Sequence, residues 1–460
     1  MVVVAAVLVA SLLRGASPLL AQTPLTLADA LRDANRHAYA NRIATAATEA
    51  DRAKARLPLN GILPSARVEA GIIRTTDPIG AFGTTLRQRA VTQAAFDPAR
   101  LNHPAAITNV QGGLVLEVPV LNGDAWTGWR AARAAADASA AMADWTAVST
   151  RANVVRAYYG AVLEGEKVAT LEQAERAALS AVRQVQSMLQ QGLVTKADAL
   201  QASVRAGDVS SQLVAARNDA LTAQQQLGLL LGRGDGAAVL LPAALPDDAP
   251  VRELAARDTF SIATPERTGA GITDRADVRA ARAGVAAATA DRQRAASTML
   301  PRVNGFARYD WNDPRTLYAG QKNWTVGVMA SWSLFGGNSE LADLAGTTAR
   351  AASARAGQEA AVAQGRVEAD AARRGLSVAL QRLQIAQLSA EQSREAHRLV
   401  EKRYAGGLAT IAELLGADAT ATGASLAHAA ARYALIDALA THRQAIGADP
   451  AALSILDAAR

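Results

Sequence analysis

The sequence contains no cysteine among its 460 residues, so disulfide bonds and thiolate metal sites are excluded. Aromatic residues are also scarce, at 4% of the chain, although hydrophobic residues make up 50% of it. Alanine supplies much of that hydrophobic content. Small side chains let helices approach closely, so the composition favours packed helices over a thick core.

Patterns typical of enzyme sites are missing as well. The histidines form no His-Glu-x-x-His pair and no other spaced metal set, and no Gly-x-Ser-x-Gly elbow occurs. Carboxylates are plentiful, but no spacing singles out an acid/base pair. We therefore predict no catalytic residues, no metal or cofactor site and no enzyme activity.

The charge pattern argues against nucleic acid as a partner. The formal net charge is +6, but the arginines are scattered among Asp and Glu, as on solvated helix faces. No basic run is interleaved with aromatic residues, which is the pattern typical of nucleic-acid binding.

The first residues of the chain resemble a secretory signal peptide. Residues 2–13 are continuously apolar or small, too short for a membrane-spanning helix, and Ala21 follows as a plausible cleavage point. Arg14 lies after the apolar core, whereas a signal peptide normally has its basic residues before it. We predict a signal peptide over residues 1–21 and export of the chain. No other stretch has the length and apolarity of a transmembrane helix.

A run without proline from Asp124 to Gly192 predicts one very long helix, over residues 124–191. Asp124 is the expected N-cap and Gly192 the expected terminator. In two runs, separated by a phase shift near Gly165, apolar residues recur at alternating spacings of three and four, typical of helices that lie along other helices. A helix of this length would extend about 100 Å. Its apolar positions are Trp145, Val148, Ala152, Val155, Tyr159, Val162, Leu171, Ala174, Ala178, Ala181, Val185 and Met188.

A second copy of this arrangement follows. Gly337 comes 214 residues after Gly123 (337 − 123) and precedes a helix predicted over residues 338–405. Gly407 comes 215 residues after Gly192 (407 − 192). Both helices end in a Gly-Leu turn with Thr three residues and an acid six residues after the glycine, and return helices are predicted over 196–231 and 410–446. The matched residues are Gly192, Leu193, Thr195 and Asp198, and Gly407, Leu408, Thr410 and Glu413. The duplicated order indicates an internal repeat.

Between these helices the apolar period changes from helical to two. Four segments alternate apolar and polar residues and predict strands over about 64–74, 109–121, 301–311 and 323–335. Each has the length that a tilted strand needs to cross a bilayer, and Tyr309, Trp311, Trp324 and Trp332 lie near strand ends like an aromatic girdle. A soluble sheet with one wet face shows the same alternation. If the strands cross a membrane, several chains must share one barrel, because four strands are too few to close one.

These patterns divide the chain into repeats. The first repeat covers residues 22–232 and the second 273–447, with a Pro- and Gly-rich linker over 233–272 and a tail over 448–460. We expect one helix from Leu27, after Thr26, to about Leu57, and a long polar loop over residues 75–108.

The order helix, strand, strand, long helix, Gly-Leu turn and return helix, present twice, resembles the TolC family of outer-membrane channels. The resemblance implies a mainly α fold with a small membrane β part: a trimeric 12-stranded β-barrel in outer-membrane lipid, continued by a periplasmic α-helical barrel. It also implies partners, namely a periplasmic adaptor (membrane fusion protein) and an inner-membrane efflux or ABC transporter. The expected function is the exit duct of a tripartite efflux or type I secretion system.

The same resemblance assigns roles to residues of the turns. The resemblance implies that Tyr404 and Glu413 belong to a periplasmic gate. It also implies that the adaptor docks at Gly192, Leu193, Thr195, Asp198, Gly407, Leu408 and Thr410. Gly416 stands where some family members carry a second acid, so the resemblance does not extend to a second acidic ring. Glu413 and Asp198 also suit a simpler role, as first-turn acids that favour a helix N-terminus.

An alternative function stays open at this point. A soluble periplasmic coiled-coil adaptor or scaffold protein would account for the long helices and their turns. It would not account for four amphipathic segments of bilayer length.

Overall fold

The computed structural model describes residues 24–234, 239–260, 272–334 and 336–457. The predicted signal peptide over 1–21 lies outside these residues, as do parts of the predicted linker and tail. Most described residues are helical, and the strands form one antiparallel sheet. The predicted fold class, mainly α with a small β part, is confirmed.

The elements are named here in chain order. The first half contains α1 Leu27–His37, α2 Tyr39–Lys54, β1 Ser65–Thr75, α3 Pro78–Arg87, α4 Pro98–Asn102, β2 Ile107–Leu121, α5 Gly123–Gln190, α6 Lys196–Leu230 and α7 Asp248–Phe260. The second half contains α8 Ala276–Ser297, β3 Arg302–Asp313, β4 Gln321–Ser331, α9 Ser339–Ala405 and α10 Ile411–Ala445. Short 3-10 segments occupy Leu57–Gly61, Gln93–Phe96 and Pro450–Asp457.

The chain divides into two compact units that do not coincide with the two repeats. The sheet unit consists of Ala46–Met142 and Arg279–Ala361. The helical unit consists of the segments up to Thr45, Ala143–Val278 and from Val362 onward. Each unit draws on both repeats, because α5 and α9 each contribute residues to both.

The sheet has the order β1-β2-β3-β4, and every neighbouring pair is antiparallel. The pairing of β2 with β3 shifts register between Pro119 and Leu121, near the end of β2. Among the described strands, β1 and β4 each pair on one side only. The sheet therefore has two free edges.

The first helix is broken where the sequence predicts continuity to about Leu57. α1 ends at His37, and Ala38 has φ −54° and ψ 129°, outside the helical region. The Asn41 side chain donates to the Ala34 carbonyl oxygen at 3.2 Å. Gly232, with φ +78°, lies so close that a Cβ there would be 2.1 Å from the His37 carbonyl oxygen. This contact comes from a distant segment, so local sequence could not reveal the break.

Two other local expectations need correction. α5 begins at Gly123, so Asp124 lies in its first turn, where its carboxylate accepts a hydrogen bond from Arg302. The connection over residues 75–108 is not one polar loop but contains α3 and α4. Both helices begin with an Asp N-cap followed by proline, at Asp77 and Asp97.

The helical unit buries the apolar positions of its long helices. In α5 the buried set includes Ala152, Val155, Tyr159, Val162, Leu171, Ala174, Ala178 and Val185, all from the predicted periodic positions. The main core joins three of these positions to residues of α1, α6, α7, α9 and α10; its members include Val155, Tyr159, Val162, Leu27, Leu227, Val251, Leu383 and Ile436. None of the helices within the described ranges combines the length and apolarity that a bilayer crossing requires.

Candidate functional site

One face of the sheet is apolar and exposed. The register aligns Val68, Leu114, Tyr309 and Trp324 in one row across the four strands, and Ala66, Leu116, Ala307 and Val326 in the next. Trp324 is 74% exposed and Val326 is 67% exposed. We call this the apolar face; its larger exposed members are Val68, Ile72, Leu114, Leu116, Val118, Val120, Trp324, Val326 and Val328. A continuous apolar surface of this kind suits lipid better than water.

The opposite face of the same sheet carries charge, and we call it the polar face. Arg67 on β1 bonds to Glu117 on β2 at 2.7 Å. Arg308 on β3 contacts Asp310 at 2.7 Å and reaches Glu69 on β1 at 3.5 Å. These ion pairs are half-exposed, as suits the lining of a water-filled passage.

Aromatic residues mark both ends of the sheet. Towards the end of β3, Trp311 makes edge contacts with Tyr309 at 4.9 Å and with Tyr318 at 5.5 Å. Beyond β4, at the opposite end, the Trp332 indole Nε1 donates to the Met299 carbonyl oxygen at 3.0 Å. Tryptophan and tyrosine concentrate where a bilayer meets water, because their rings are apolar with one polar group.

The two Gly-Leu turns have nearly identical backbones. Gly192 has φ +73° and Gly407 has φ +72°, a conformation that glycine adopts without strain. The Leu193 amide donates to the Met188 carbonyl oxygen at 2.9 Å, and the Leu408 amide to the Arg403 carbonyl oxygen at 2.8 Å. Both are Schellman-type endings, which satisfy carbonyls left free at a helix end.

Each return helix starts with a capping box. The Thr195 hydroxyl accepts from the Asp198 amide at 3.2 Å, and the Asp198 carboxylate accepts from the Thr195 amide at 2.9 Å. The same pair of bonds joins Thr410 and Glu413, at 3.2 and 2.8 Å. The Thr195 hydroxyl and then its amide hold the pKa of Asp198 below its ordinary value. Both acids therefore serve as helix caps, in keeping with the simpler role considered for them.

The two turns lie next to each other at one end of the helical unit. They share a buried cluster of Val185, Ala199, Ala202, Ile411 and Leu415. Tyr404 packs against this cluster, and its hydroxyl lies 3.7 Å from the Met188 sulfur. Burial first, and then the nearby Asp198 carboxylate, raise the pKa of Tyr404, so its phenol stays protonated at neutral pH.

The structure thus brings together all nine residues that the sequence assigns to the docking turns and the gate. Leu193 and Leu408 are exposed apolar residues within the turns themselves, at 65% and 73%. Sequence reasoning missed Arg403, whose guanidinium Nη2 donates to the Leu408 carbonyl oxygen at 3.1 Å and braces the second turn. A basic residue four before the turn glycine, close to the free carbonyls of a helix end, could have drawn attention to it.

Comparison with known proteins places the chain among outer-membrane proteins. The family model described as "Outer membrane efflux protein" matches residues 79–233 and 272–448, more than half of the chain. No curated protein sequence matches the chain.

Solved structures show the same fold at low sequence identity. The CmeC outer membrane channel of Campylobacter jejuni is 15% identical, with 94% of this chain and 89% of that chain covered and a TM-score of 0.75. The outer membrane protein VceC of Vibrio cholerae is 18% identical, with 92% of this chain and 96% of that chain covered and a TM-score of 0.71. The open state of the MtrE outer membrane channel of Neisseria gonorrhoeae is 18% identical, with coverage of 92% and 89% and a TM-score of 0.71.

Proposed function

The chain belongs to the outer membrane efflux protein family, and on this premise we propose that three copies form one channel that works with a periplasmic adaptor and an inner-membrane transporter. The protein is an outer-membrane efflux channel that extends into the periplasm, a duct rather than an enzyme. The alternative of a soluble adaptor or scaffold is not favoured, because the family consists of outer membrane efflux proteins.

The free edges of the sheet are the single observation on which the proposed trimer rests. A four-stranded sheet with an apolar face has unpaired backbone groups along β1 and β4, and such groups are costly in lipid. Pairing β1 of one copy with β4 of the next removes every edge. Three copies supply twelve strands, within the range of closed barrels, whereas two supply only the minimum of about eight.

The two turns are the proposed docking site for the adaptor. Their backbones are held by Schellman-type hydrogen bonds and by capping boxes, so the exposed Leu193 and Leu408 project from well-supported turns. Rigid apolar points lose little entropy on binding and act as anchors in an interface. The adaptor is therefore expected to receive these leucines in apolar recesses.

A double variant, Leu193→Ser with Leu408→Ser, tests the docking proposal. It is expected to lose cross-linking to the adaptor in whole cells while the channel still reaches the outer membrane. Leu388→Ser is the matched control, because Leu388 is an exposed leucine on α9, 54% exposed, 20 residues (408 − 388) before the turn leucine. Undiminished cross-linking of the double variant would refute docking at the turns.

Tyr404 is proposed to keep a periplasmic gate closed. It joins the second turn to the first through its contact with Met188 and the shared buried cluster. Opening requires the two hairpins to separate, so loss of the packing of the Tyr404 ring against this cluster favours the open state. Glu413 adds a negative charge at the same end, even while its carboxylate caps α10.

Single-channel recording in planar bilayers tests the gate. Tyr404→Ala is expected to raise the conductance, whereas Tyr404→Phe, which keeps the ring and its packing, is expected to stay close to the native chain. Equal conductance of all three proteins would contradict the gate assignment without affecting the trimer.

A further inference from the structure

The connection between β1 and β2, residues 76–106, is a folded element at one end of the sheet. It contains α3, capped by Asp77, and α4, capped by Asp97, with the Phe82 and Phe96 rings in edge contact at 5.8 Å. Ala81 of α3 is buried. We call this segment the lid; two capped helices and an aromatic pair give it a defined shape.

Polar contacts fasten the lid to the sheet. The Gln88 side-chain amide donates to the Thr108 carbonyl oxygen and to the Asn109 side-chain oxygen, each at 3.0 Å. Asn109 in turn donates to the Asn312 side-chain oxygen at 2.8 Å. Asn109 and Asn312 are only 2% and 3% exposed, and buried amides of this kind hold their partners in place because unmade bonds are costly.

The lid reaches across the sheet. Through Gln88 and Asn109 it is connected to β2 and β3, and the Arg89 guanidinium extends to the Lys322 carbonyl oxygen at the start of β4, at 3.4 Å. The anchor points all lie at the end of the strands away from α5, where β1 ends and β2 begins. The lid is therefore fixed to three of the four strands at that end.

The register shows which face the lid covers. Asn109 lies two residues before Gln111, and Asn312 is the partner of Gln111 in the pairing of β2 with β3. Since alternate residues of a strand share a face, these asparagines belong to the polar face with Glu69 and Asp310. The short β3–β4 connection behaves differently, because its Tyr318 lies over Gly112 on the apolar face.

We propose that the lid forms a second constriction, at the outer mouth of the channel, which limits the size of the solutes that leave it. This inference rests on the proposed channel, in which the polar face lines the passage. Three copies would bring three lids over one mouth, above the ion pairs of Arg67, Glu117 and Arg308. This constriction is made of other residues than the turns of the helical unit. It selects solutes by size, independently of the adaptor.

Thiol labelling of intact cells tests this proposal, because the native sequence has no cysteine and only an introduced thiol reacts. Thr325→Cys places a thiol on the polar face in the middle of β4, opposite Arg308, and Val326→Cys places one on the apolar face next to it. Membrane-impermeant maleimides, one small and one carrying a bulky polyethylene glycol, are added from outside the cells.

With the lid intact, the small reagent is expected to label Thr325→Cys and the bulky reagent is not. When residues 79–104 are replaced by a short Gly-Ser linker, the bulky reagent is expected to label Thr325→Cys as fully as the small one. Full labelling by the bulky reagent with the lid intact would overturn the proposal, as would continued protection after the lid is removed. Labelling of Val326→Cys but not of Thr325→Cys by the small reagent would instead refute the proposed channel.

Point variants keep the test decisive if the shortened chain does not assemble. Gln88→Ala removes both contacts to β2 and is expected to admit the bulky reagent to Thr325→Cys. Ile79→Ala is the matched control, because Ile79 is an exposed residue of the same helix α3; protection should stay intact. Equal protection in both variants, with assembled channels, would overturn the lid's role.

Discussion

The sheet and the Gly-Leu turns both expose apolar side chains, but in different ways. The sheet presents a continuous apolar face across four strands. Each turn presents a single leucine, at Leu193 or Leu408, on a backbone held by Schellman-type hydrogen bonds and a capping box. A broad apolar surface suits a featureless solvent such as lipid, whereas an isolated rigid side chain suits a shaped partner.

The difference extends to what each region tolerates. In the sheet, the side of the strand on which a residue lies decides its environment, since neighbours along a strand face opposite ways. In the turns, the backbone conformation and the helix caps decide which substitutions are tolerated.

A charge on the apolar face should have the largest effect. Val326→Arg places a guanidinium near the middle of β4, where a lipid-facing arginine costs about 2–4 kcal/mol per chain. We expect a large loss of assembled trimer from outer-membrane fractions, measured by immunoblot. Met329→Arg adds the same group to the polar face, opposite the uncharged Asn304, and should assemble normally. Equal loss in both would break the distinction between the faces.

The second-largest effect is expected from adding a side chain at the turn glycines. Gly407→Ala or Gly192→Ala forces an L-residue to a φ above +70°, at a cost of about 1–2 kcal/mol. The expected result is a lower midpoint of thermal unfolding for the detergent-solubilised protein. Gly416→Ala is the control, because an added Cβ there meets nothing within 4 Å, and alanine favours the helix. A control as unstable as the turn variants would show that turn conformation is not the cause.

Loss of a capping hydroxyl should be smaller. Thr195→Ala and Thr410→Ala each remove the acceptor for an amide of the return helix, at about 1 kcal/mol. Thr420→Ala removes a hydroxyl that only bonds back to Gly416 within α10, so no loss is expected there. Thermal unfolding of the three variants side by side checks the ranking, and a greater loss from Thr420→Ala would reverse it.

The smallest effect is the pH dependence of the first cap. Hydrogen bonds from Thr195 lower the pKa of Asp198 in the folded state. The carboxylate therefore stabilises the fold at pH values above its ordinary pKa of about 3.8. This stabilisation is lost as the pH falls through the lowered folded-state value. Asp198→Asn should therefore flatten the decline in unfolding temperature as the pH falls below about 4. An identical decline in the variant would show that the cap carboxylate does not contribute.

Much of this architecture follows from local patterns in the sequence. Alternation of period two identifies the apolar face, because residues such as Leu114 and Leu116 share a side of the strand. The Gly-Leu turns are visible because glycine, threonine and an acid occur at fixed offsets, each with its own role in ending or starting a helix. Two copies of the pattern make the prediction stronger than either alone.

Contacts between distant residues could not be predicted in the same way. The break at Ala38 depends on the close approach of Gly232, and the position of the lid depends on Gln88 bonding to Asn109, which in turn bonds to Asn312. The helices of the lid themselves were within reach of the sequence, because Asp-Pro occurs at both starts. Their position on the polar face was not, because it follows from the register of the strands.

The mass of the assembly in a lipid nanodisc shows whether separate chains complete one another's sheet in a membrane. Native mass spectrometry of the native chain, extracted with detergent from outer membranes and reconstituted, should give a complex of three copies. A single copy that remains monodisperse in water without detergent or lipid would contradict the account.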